Sequence, residues 1–319
     1  MKKIAILTSG GDAPGMNACI RACVRSAINS GLEVYGVDRG YKGLVENRIF
    51  PMHSTSVCEI IHRGGTILKS ARCLEFKEKE TRKIAADNLK ALGIEGLVVI
   101  GGDGSFTGAK ALSDDFGINV VGIPGTIDND LAYTDFTLGF DTAVNTVLWA
   151  INALRDTMTS HDRVSIIKVM GRHCGDIALY AGICGGAEYI LVPEIPYDIQ
   201  KIASEIKTNK ERGKTSSIIV LAEGAGNEQE IKTVVSVISG ADVKFSTLGH
   251  IQRGGTPTMA DRMLAAKFGV AAIEILIANK TNRVVGCKGK EIFDLDITEA
   301  LSQKKQIDKN LYDIAALLC

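Results

Sequence analysis

Short apolar runs alternate with amphipathic stretches along most of this chain. The apolar runs predict strands over residues 3–7, 33–37, 97–100, 120–123, 164–169, 189–192, 217–222 and 243–248. Between them, apolar residues recurring every three or four positions predict helices over 16–30, 81–92, 141–159, 199–211 and 259–279. Strands alternating with helices argue for an α/β fold with mainly parallel sheets. Near-continuous apolar strands are what a sheet covered on both faces requires. The stretch 16–30 illustrates the pattern: Ile20, Val24 and Ile28 form the stripe to be buried, and Gly31 is placed to cap the helix end. Arg21 and Arg25 stand on another face of that helix. Such a pair is either solvated or gathered around an anion.

The strand count divides the chain near residue 138, and the chain is expected to cross back near Gly254-Gly255. At 319 residues it is long enough for two well-buried cores. Lys plus Arg and Asp plus Glu both number 37, so charge favours neither a nucleic-acid partner nor an anionic membrane surface. The densest charge cluster, Lys77-Glu78-Lys79-Glu80, mixes signs and reads as a solvated helix start. The eight cysteines, Cys19, Cys23, Cys58, Cys73, Cys174, Cys184, Cys287 and Cys319, form no Cys-x-x-Cys pair or zinc-spaced cluster. They read as reduced, mostly small-hydrophobe residues, which fits a cytoplasmic protein. The apolar start of the chain is too short for a signal peptide, and no run is long enough to span a bilayer.

The candidate chemistry lies where strands end. Gly101-Gly102-Asp103-Gly104-Ser105 follows one apolar run, and Pro124-Gly125-Thr126-Ile127-Asp128-Asn129-Asp130 follows the next. Open parallel sheets bind ligands at such strand ends. Glycines there let a phosphate approach the backbone, and Asp103 suits Mg²⁺ ligation through oxygen. Ser105 is placed to cap the following helix. Thr126 and Asp128, two apart, share a face if the segment is extended. Asp128 could then take the proton of an attacking alcohol while Thr126 bonds a phosphoryl oxygen, with Asp130 supporting the metal. An Asp-Asn-Asp turn is also a common purely conformational device. The earlier segment from Thr8 to Asn17 joins a strand to a helix. It matches neither the P-loop nor the dinucleotide fingerprint, so it is either an anion-binding loop or an ordinary turn. Three arginines at strand ends, Arg163, Arg172 and Arg253, suit recognition of a second anion.

Together these segments resemble the bacterial ATP-dependent 6-phosphofructokinases. The resemblance runs nearly end to end through Gly-Gly-Asp-Ala-Pro-Gly-Met-Asn, Gly-Gly-Asp-Gly-Ser, Pro-Gly-Thr-Ile-Asp-Asn-Asp, Met-Gly-Arg, Ala-Glu-Gly and Gly-His-Ile-Gln-Arg-Gly-Gly. It implies two doubly wound domains with the active site in the cleft between them. The ATP-binding domain would take 1–138 plus about 252–304, and the sugar-phosphate-binding domain 139–251 plus about 305–319. The implied reaction is direct in-line transfer from ATP to fructose 6-phosphate, giving ADP and fructose 1,6-bisphosphate, in a glycolytic, allosterically regulated homotetramer. The resemblance assigns Gly11, Arg72, Cys73, Gly102, Asp103, Gly104 and Ser105 to ATP, with Asp103 serving Mg²⁺. It makes Asp128 the base, with Thr126, Arg172 and Gly11 stabilising the transferring group. Thr126, Ile127, Asp128, Met170, Gly171, Arg172, Glu223, His250, Ile251, Gln252 and Arg253 would meet the sugar phosphate. Arg163 and Lys244 would do so in a neighbouring subunit's site.

The resemblance also implies an effector site for ADP or phosphoenolpyruvate. It would be built from Arg21, Arg25, Ser54, Glu59, Arg155, Gly186, Ala187, Glu188, Arg212, Lys214, Thr215 and Ser216. Ser54 stands where the family typically has arginine, Glu59 where it has aspartate, and Lys244 where it commonly has arginine. Weaker effector binding and somewhat weaker sugar-phosphate binding are therefore expected. Gly104 and Gly125 bear on the donor, because relatives that use pyrophosphate carry larger side chains at these places. The alternatives are a pyrophosphate-dependent phosphofructokinase, a protein similar to NAD kinases or lipid kinases, and a catalytically silent nucleotide-binding subunit. The similar kinases would leave residues 124–130 and 250–253 unexplained.

Overall fold

The computed structural model describes residues 1–318. In chain order it runs β1 (Lys3–Thr8), α1 (Met16–Asn29), β2 (Glu33–Val37), α2 (Gly40–Val45), β3 (Ile49–Met52), α3 (Lys79–Ala91), β4 (Gly96–Gly101), α4 (Asp103–Phe116) and β5 (Asn119–Pro124). It continues through α5 (Phe140–Thr159), β6 (Arg163–Val169), α6 (Asp176–Cys184), β7 (Tyr189–Leu191), α7 (Ile199–Glu211), β8 (Ser217–Ala222), α8 (Glu228–Ser239) and β9 (Asp242–Thr247). The last elements are α9 (Met259–Ile277), β10 (Arg283–Lys288), β11 (Glu291–Asp296), α10 (Ile297–Ser302) and α11 (Lys309–Leu318). Contacts divide the chain into two units. One holds Met1–Ile127, Leu131–Thr142 and Arg253–Lys304; the other holds Asp128–Asp130, Ala143–Gln252 and Lys305–Cys319.

The first unit is built on a seven-stranded sheet in the order β11-β10-β5-β4-β1-β2-β3. The strands from β10 to β2 pair in parallel, and β3 and β11 add antiparallel edges. Every residue of β4 is buried, because helices cover both faces. Ala5, Leu7, Leu97 and Val99 face a core completed by α2, α3 and α4. Their alternating neighbours Ile4, Ile6, Val98 and Ile100 are equally buried and point to the opposite face. There α1 and α9 pack against each other, and α9 against β5. Along α1 the buried stripe is Ile20, Cys23, Val24 and Ala27. Ile28 is only half-buried, because the helix turns its last apolar contact to Ala27.

The chain leaves β1 for β2 on one side and reaches β4 on the other. That reversal sets the loops after β1 and β4 side by side, at the place where open α/β sheets bind ligands. Ser9 N–H donates to Ile100 O at 2.9 Å and ties the two loops together.

The second unit carries a four-stranded parallel sheet in the order β7-β8-β6-β9. Val164, Ile166, Ile219 and Leu221 pack on Ala203 and Ile206 of α7 and on Ile231 and Val235 of α8. The segments after β6, β8 and β9 all emerge at the carboxyl edge of this sheet. Among the described residues no helix is long and apolar enough to cross a membrane. All described cysteines are free thiols, but Cys58 and Cys184 are exposed rather than core residues. Cys319 lies outside the described residues.

Candidate functional site

In the first unit the loop after β1 runs from Ser9 to Gly15 and turns into α1 at Gly15, whose φ of 100° lies in the left-handed region. Gly11 is exposed on this loop. Arg253 leans over it, donating from Nη1 to Asp12 O at 3.2 Å. A Cβ at position 11 would lie 2.3 Å from that nitrogen, so glycine is what lets the guanidinium approach.

The loop after β4 is a helix start. Asp103 is the first residue of α4, and its Oδ1 accepts from Gly104 N–H at 2.7 Å. The carboxylate is exposed at a helix end whose free amides and dipole attract anions. Nothing lies within 4 Å of a Cβ built at Gly102 or Gly104. Ser105 is not the cap expected of it: Gly102 occupies the cap position, and Ser105 is a buried residue of the first helical turn. Its hydroxyl is packed where a side chain on Gly101 would fall, and its carbonyl accepts from the Tyr41 hydroxyl. Arg72 is exposed and Cys73 half-buried, with burial pushing the Cys73 thiol pKa up.

Gly125 behaves differently from Gly104. A Cβ there would come within 3.0 Å of Ile100 and 3.2 Å of Met16. A larger residue at position 125 is therefore opposed first by the core, whereas one at 104 enters open space.

After β5 the chain is not extended. Residues 127–128 form a bend, and Asn129 has φ 52°, so the shared face expected of Thr126 and Asp128 is replaced by a turn. Thr126 O accepts from the Thr137 hydroxyl at 2.6 Å in the first unit, and Ile127 is buried.

In the second unit Asp128 is buried to 1% exposure, and Arg172 reaches it, Nε to Oδ2, at 3.3 Å. Arg172 also lies 4.0 Å from Asp130. Arg172 has φ 54°, an unusual conformation for a long side chain and a local strain of the kind found at functional sites. Two contacts hold it there. Its N–H donates to Glu223 Oε2 at 3.1 Å, and Gly224 leaves room for its carbonyl, which a Cβ would approach to 2.4 Å. The strand ends of β6 and β8 are thereby locked together around Arg172. Met170 N–H donates to Gln252 Oε1, and Gln252 Nε2 donates to Gly249 O. Gln252 is fully buried by this work, while His250 and Ile251 are exposed beside it.

Arg163 and Lys244 lie elsewhere. Arg163 is the first residue of β6, about 20 Å of strand from its carboxyl end. It and Lys244 share the Asp242 carboxylate at 2.8 and 3.0 Å, which holds the Asp242 pKa below the usual carboxylate range. Within the second unit, then, the expected sugar-phosphate residues fall into two groups at opposite ends of one sheet.

The expected effector residues also fall into groups. Arg21 is half-buried and Arg25, Ser54 and Glu59 are exposed in the first unit. In the second unit Arg155 donates to the carbonyls of Gly185 and Gly186, and Lys214 pairs with Glu188 at 3.1 Å. Ala187 is buried beside them, and Thr215 and Ser216 lead from Lys214 into β8. Glu188, Arg212 and Lys214 line a cavity of about 540 Å³ with residues of α7.

No group of three or more His, Cys, Asp or Glu side chains able to hold a metal is present among the described residues. A Mg²⁺ that arrives with a nucleotide needs one or two carboxylates and takes its remaining ligands from phosphates and water. The exposed Asp103 carboxylate between two unobstructed glycines fits that demand.

Sequence reasoning did not single out Asn129, Cys174, Asp176 or Lys305. They surround the Asp128 turn, but Asp176 and Lys305 are far away in sequence, and no spacing announces them.

The profile of the family described as "Phosphofructokinase" matches residues 3–276. The ATP-dependent 6-phosphofructokinase 1 of Clostridium perfringens is 58% identical over 99% of this chain and 98% of its own. The ATP-dependent 6-phosphofructokinase of Clostridioides difficile is also 58% identical, over 100% of this chain and 99% of its own. Among solved structures, phosphofructokinase from Saccharomyces cerevisiae superposes with a TM-score of 0.87 at 34% identity. That match covers all of this chain, which spans about half (47%) of the yeast chain. A family profile that matches residues 3–276, and relatives 58% identical over nearly the whole chain, leave one conclusion: the chain belongs to the phosphofructokinase family.

Proposed function

We propose that this protein is an ATP-dependent 6-phosphofructokinase that converts ATP and fructose 6-phosphate to ADP and fructose 1,6-bisphosphate. The observation that carries the reading is the buried Asp128 carboxylate with the Arg172 guanidinium against it. Asp128 takes the proton from the 1-hydroxyl of the sugar as that oxygen attacks the terminal phosphorus. The bond between that phosphorus and the bridging oxygen of ADP breaks in the same in-line displacement. Phosphoryl transfer asks little covalent chemistry of a protein; it needs positioning and stabilisation of spreading charge. Arg172, the Thr126 hydroxyl and the amide near Gly11 supply that stabilisation. Asp103 would hold Mg²⁺, which neutralises charge on the nucleotide phosphates when bound. Gly102, Gly104 and the α4 amino end receive those phosphates, with Arg72 and Cys73 along the nucleotide.

Glu223, Met170, His250 and Arg253 bind the sugar phosphate. Arg163 and Lys244 complete a neighbouring subunit's site, which accounts for their place at the far end of β6 and β9. This sharing requires a symmetric assembly, which the proposal takes to be a homotetramer. The Glu188, Arg212 and Lys214 cavity belongs to an effector site for ADP or phosphoenolpyruvate, weakened by Ser54. The protein acts in the cytoplasm. A coupled assay with fructose 6-phosphate tests the core of the proposal by comparing donors. ATP with Mg²⁺ should support turnover and pyrophosphate should not. Turnover with pyrophosphate alone, or with neither donor, would overturn it.

A further inference from the structure

The turn that carries Asp128 is clamped from behind, within the second unit, by residues that face no expected ligand. Asn129 sits at φ 52°, between the two carboxylates that Arg172 approaches. Its side-chain Nδ2 donates to Asp176 Oδ2 at 2.8 Å, and both residues are buried. Lys305 Nζ meets the same Asp176 oxygen at 3.1 Å, with its side chain only 19% exposed. On the backbone side, Asn129 O accepts from the Cys174 thiol at 3.8 Å. Burial pushes the Cys174 pKa up to about 12, so the thiol keeps its proton at neutral pH and remains a donor. Cys174 and Asp176 belong to the loop and helix that follow Arg172, so one short stretch holds both Asp128 and the guanidinium against it.

We infer that Asn129, Asp176 and Lys305 form a positioning relay that fixes the Asp128 carboxylate against Arg172 for proton abstraction. The argument is geometric. Asn tolerates the left-handed region, but its side chain alone does not hold the turn. A charged acceptor makes the tether stronger than a neutral one. Asp176 needs a cation of its own, because a buried carboxylate with a single neutral donor is poorly satisfied. Lys305 supplies it from beyond the residues that the family profile matches. The relay thus ties the C-terminal segment to the catalytic turn.

The inference rests on the reading of Asp128 as the base, and the test separates the two. Asn129→Gly keeps the backbone conformation and removes the tether. It should lower kcat by about 10²-fold with both KM values within about threefold, because a misplacement of about 1 Å has that effect. Lys305→Met should lower kcat by about tenfold, and Lys305→Arg should restore most of it. In an Asp128→Ser background, Asn129→Gly should have no further effect on turnover, since a group acting through Asp128 has nothing left to position. A merely structural role would instead lower the melting temperature and reduce kcat by the same factor with or without Asp128. That result, or unchanged kcat in both Asn129→Gly and Lys305→Met, overturns the relay while leaving the base assignment intact. Near-normal turnover of Asp128→Ser by itself overturns both.

Discussion

A methyl group at position 11 would sit 2.3 Å from the nearest guanidinium nitrogen of Arg253, closer than real contacts allow. What it meets is the far end of a flexible side chain, so the fold should survive and the arginine should move. We expect Gly11→Ala to keep its melting temperature within a degree or two and to lower kcat/KM for fructose 6-phosphate by roughly 10- to 100-fold, because the cation proposed to address the sugar phosphate is displaced. Unchanged steady-state kinetics would show that Arg253 does not depend on Gly11. Asp128→Ser tests the residue proposed to be the base. Loss of a general base should reduce kcat by about 10²- to 10⁴-fold while both substrates still bind. Binding measured separately from turnover checks this. At this scale the sequence was informative where a residue type limits chemistry. The helix start at Asp103 and the turn at Asp128 could be read from their glycine-rich and Asp-Asn-Asp contexts. Ser105 could not, because a serine just after a glycine pair suits either a cap or a first helical turn. Three-dimensional crowding against Gly101 decided in favour of the turn. Nor could the partners of Asn129 be read, since Asp176 and Lys305 are brought to it only by the packing of the second unit.

Among the elements, α9 is anchored at its start by two polar side chains. Thr258 caps it by accepting from Asp261 N–H, and Asp261 turns inward instead of lying in solvent. Its oxygens accept from Gly139 N–H at 2.8 Å, from Thr142 N–H at 2.9 Å and from the Thr142 hydroxyl at 2.5 Å. The start of α5 is thereby pinned to the start of α9. Burial nevertheless pushes the Asp261 pKa up to about 6, against the lowering effect of those hydrogen bonds, and the neighbouring Asp141 charge adds to the rise. A raised carboxyl pKa favours the folded state below about pH 4, and that advantage is lost as pH rises through about 6. Asp261→Asn removes the titration but turns an amide donor toward backbone donors, which should cost about 1–3 kcal/mol at pH 4.5. The deficit should shrink by about 3 kcal/mol or less between pH 4.5 and 7.5, as the wild type alone ionises. Denaturant unfolding at both pH values checks it; a deficit that widens with pH contradicts the assignment. Elements of this kind were unevenly legible. Every parallel strand except β10 was found, because both faces are covered and the runs are nearly all apolar. The edge strands β3 and β11 escaped, and so did β10 beside β11. Pro51 interrupts β3, and Gly286 breaks the apolar run of β10. Proline is tolerated at an edge. Gly286 makes room for Phe293 of the paired β11, whose ring tip a Cβ would approach to 2.8 Å, a fact invisible without the pairing.

At the scale of the whole molecule, the question is why two cations expected at a sugar-phosphate site stand at the wrong end of their own sheet. Arg163 and Lys244 gather on Asp242 at the amino end of β6 and near that of β9, whereas Arg172 and Glu223 meet at the carboxyl ends. A protein using only its own chain would have little reason for that separation. The proposed symmetric assembly, in which Arg163 is lent to a neighbour, would account for it. Subunit complementation tests the idea directly. Arg163→Ala and Asp128→Ser should each be nearly inactive at low fructose 6-phosphate when pure. Unfolded together and refolded as mixed assemblies, they should regain activity. Wherever an Arg163→Ala subunit receives its arginine from an Asp128→Ser neighbour, one site holds both intact groups. Random equal mixing places that combination at about a quarter of all sites, so roughly a quarter of wild-type turnover should return. If Arg163 served its own chain, every mixed site would keep one defect and no activity would reappear. The same experiment with Lys244→Ala in place of Arg163→Ala asks whether the lysine is lent in the same way. A recovery that matches the arginine variant would place both on one exported surface, paired through Asp242 until a neighbour's substrate draws them away.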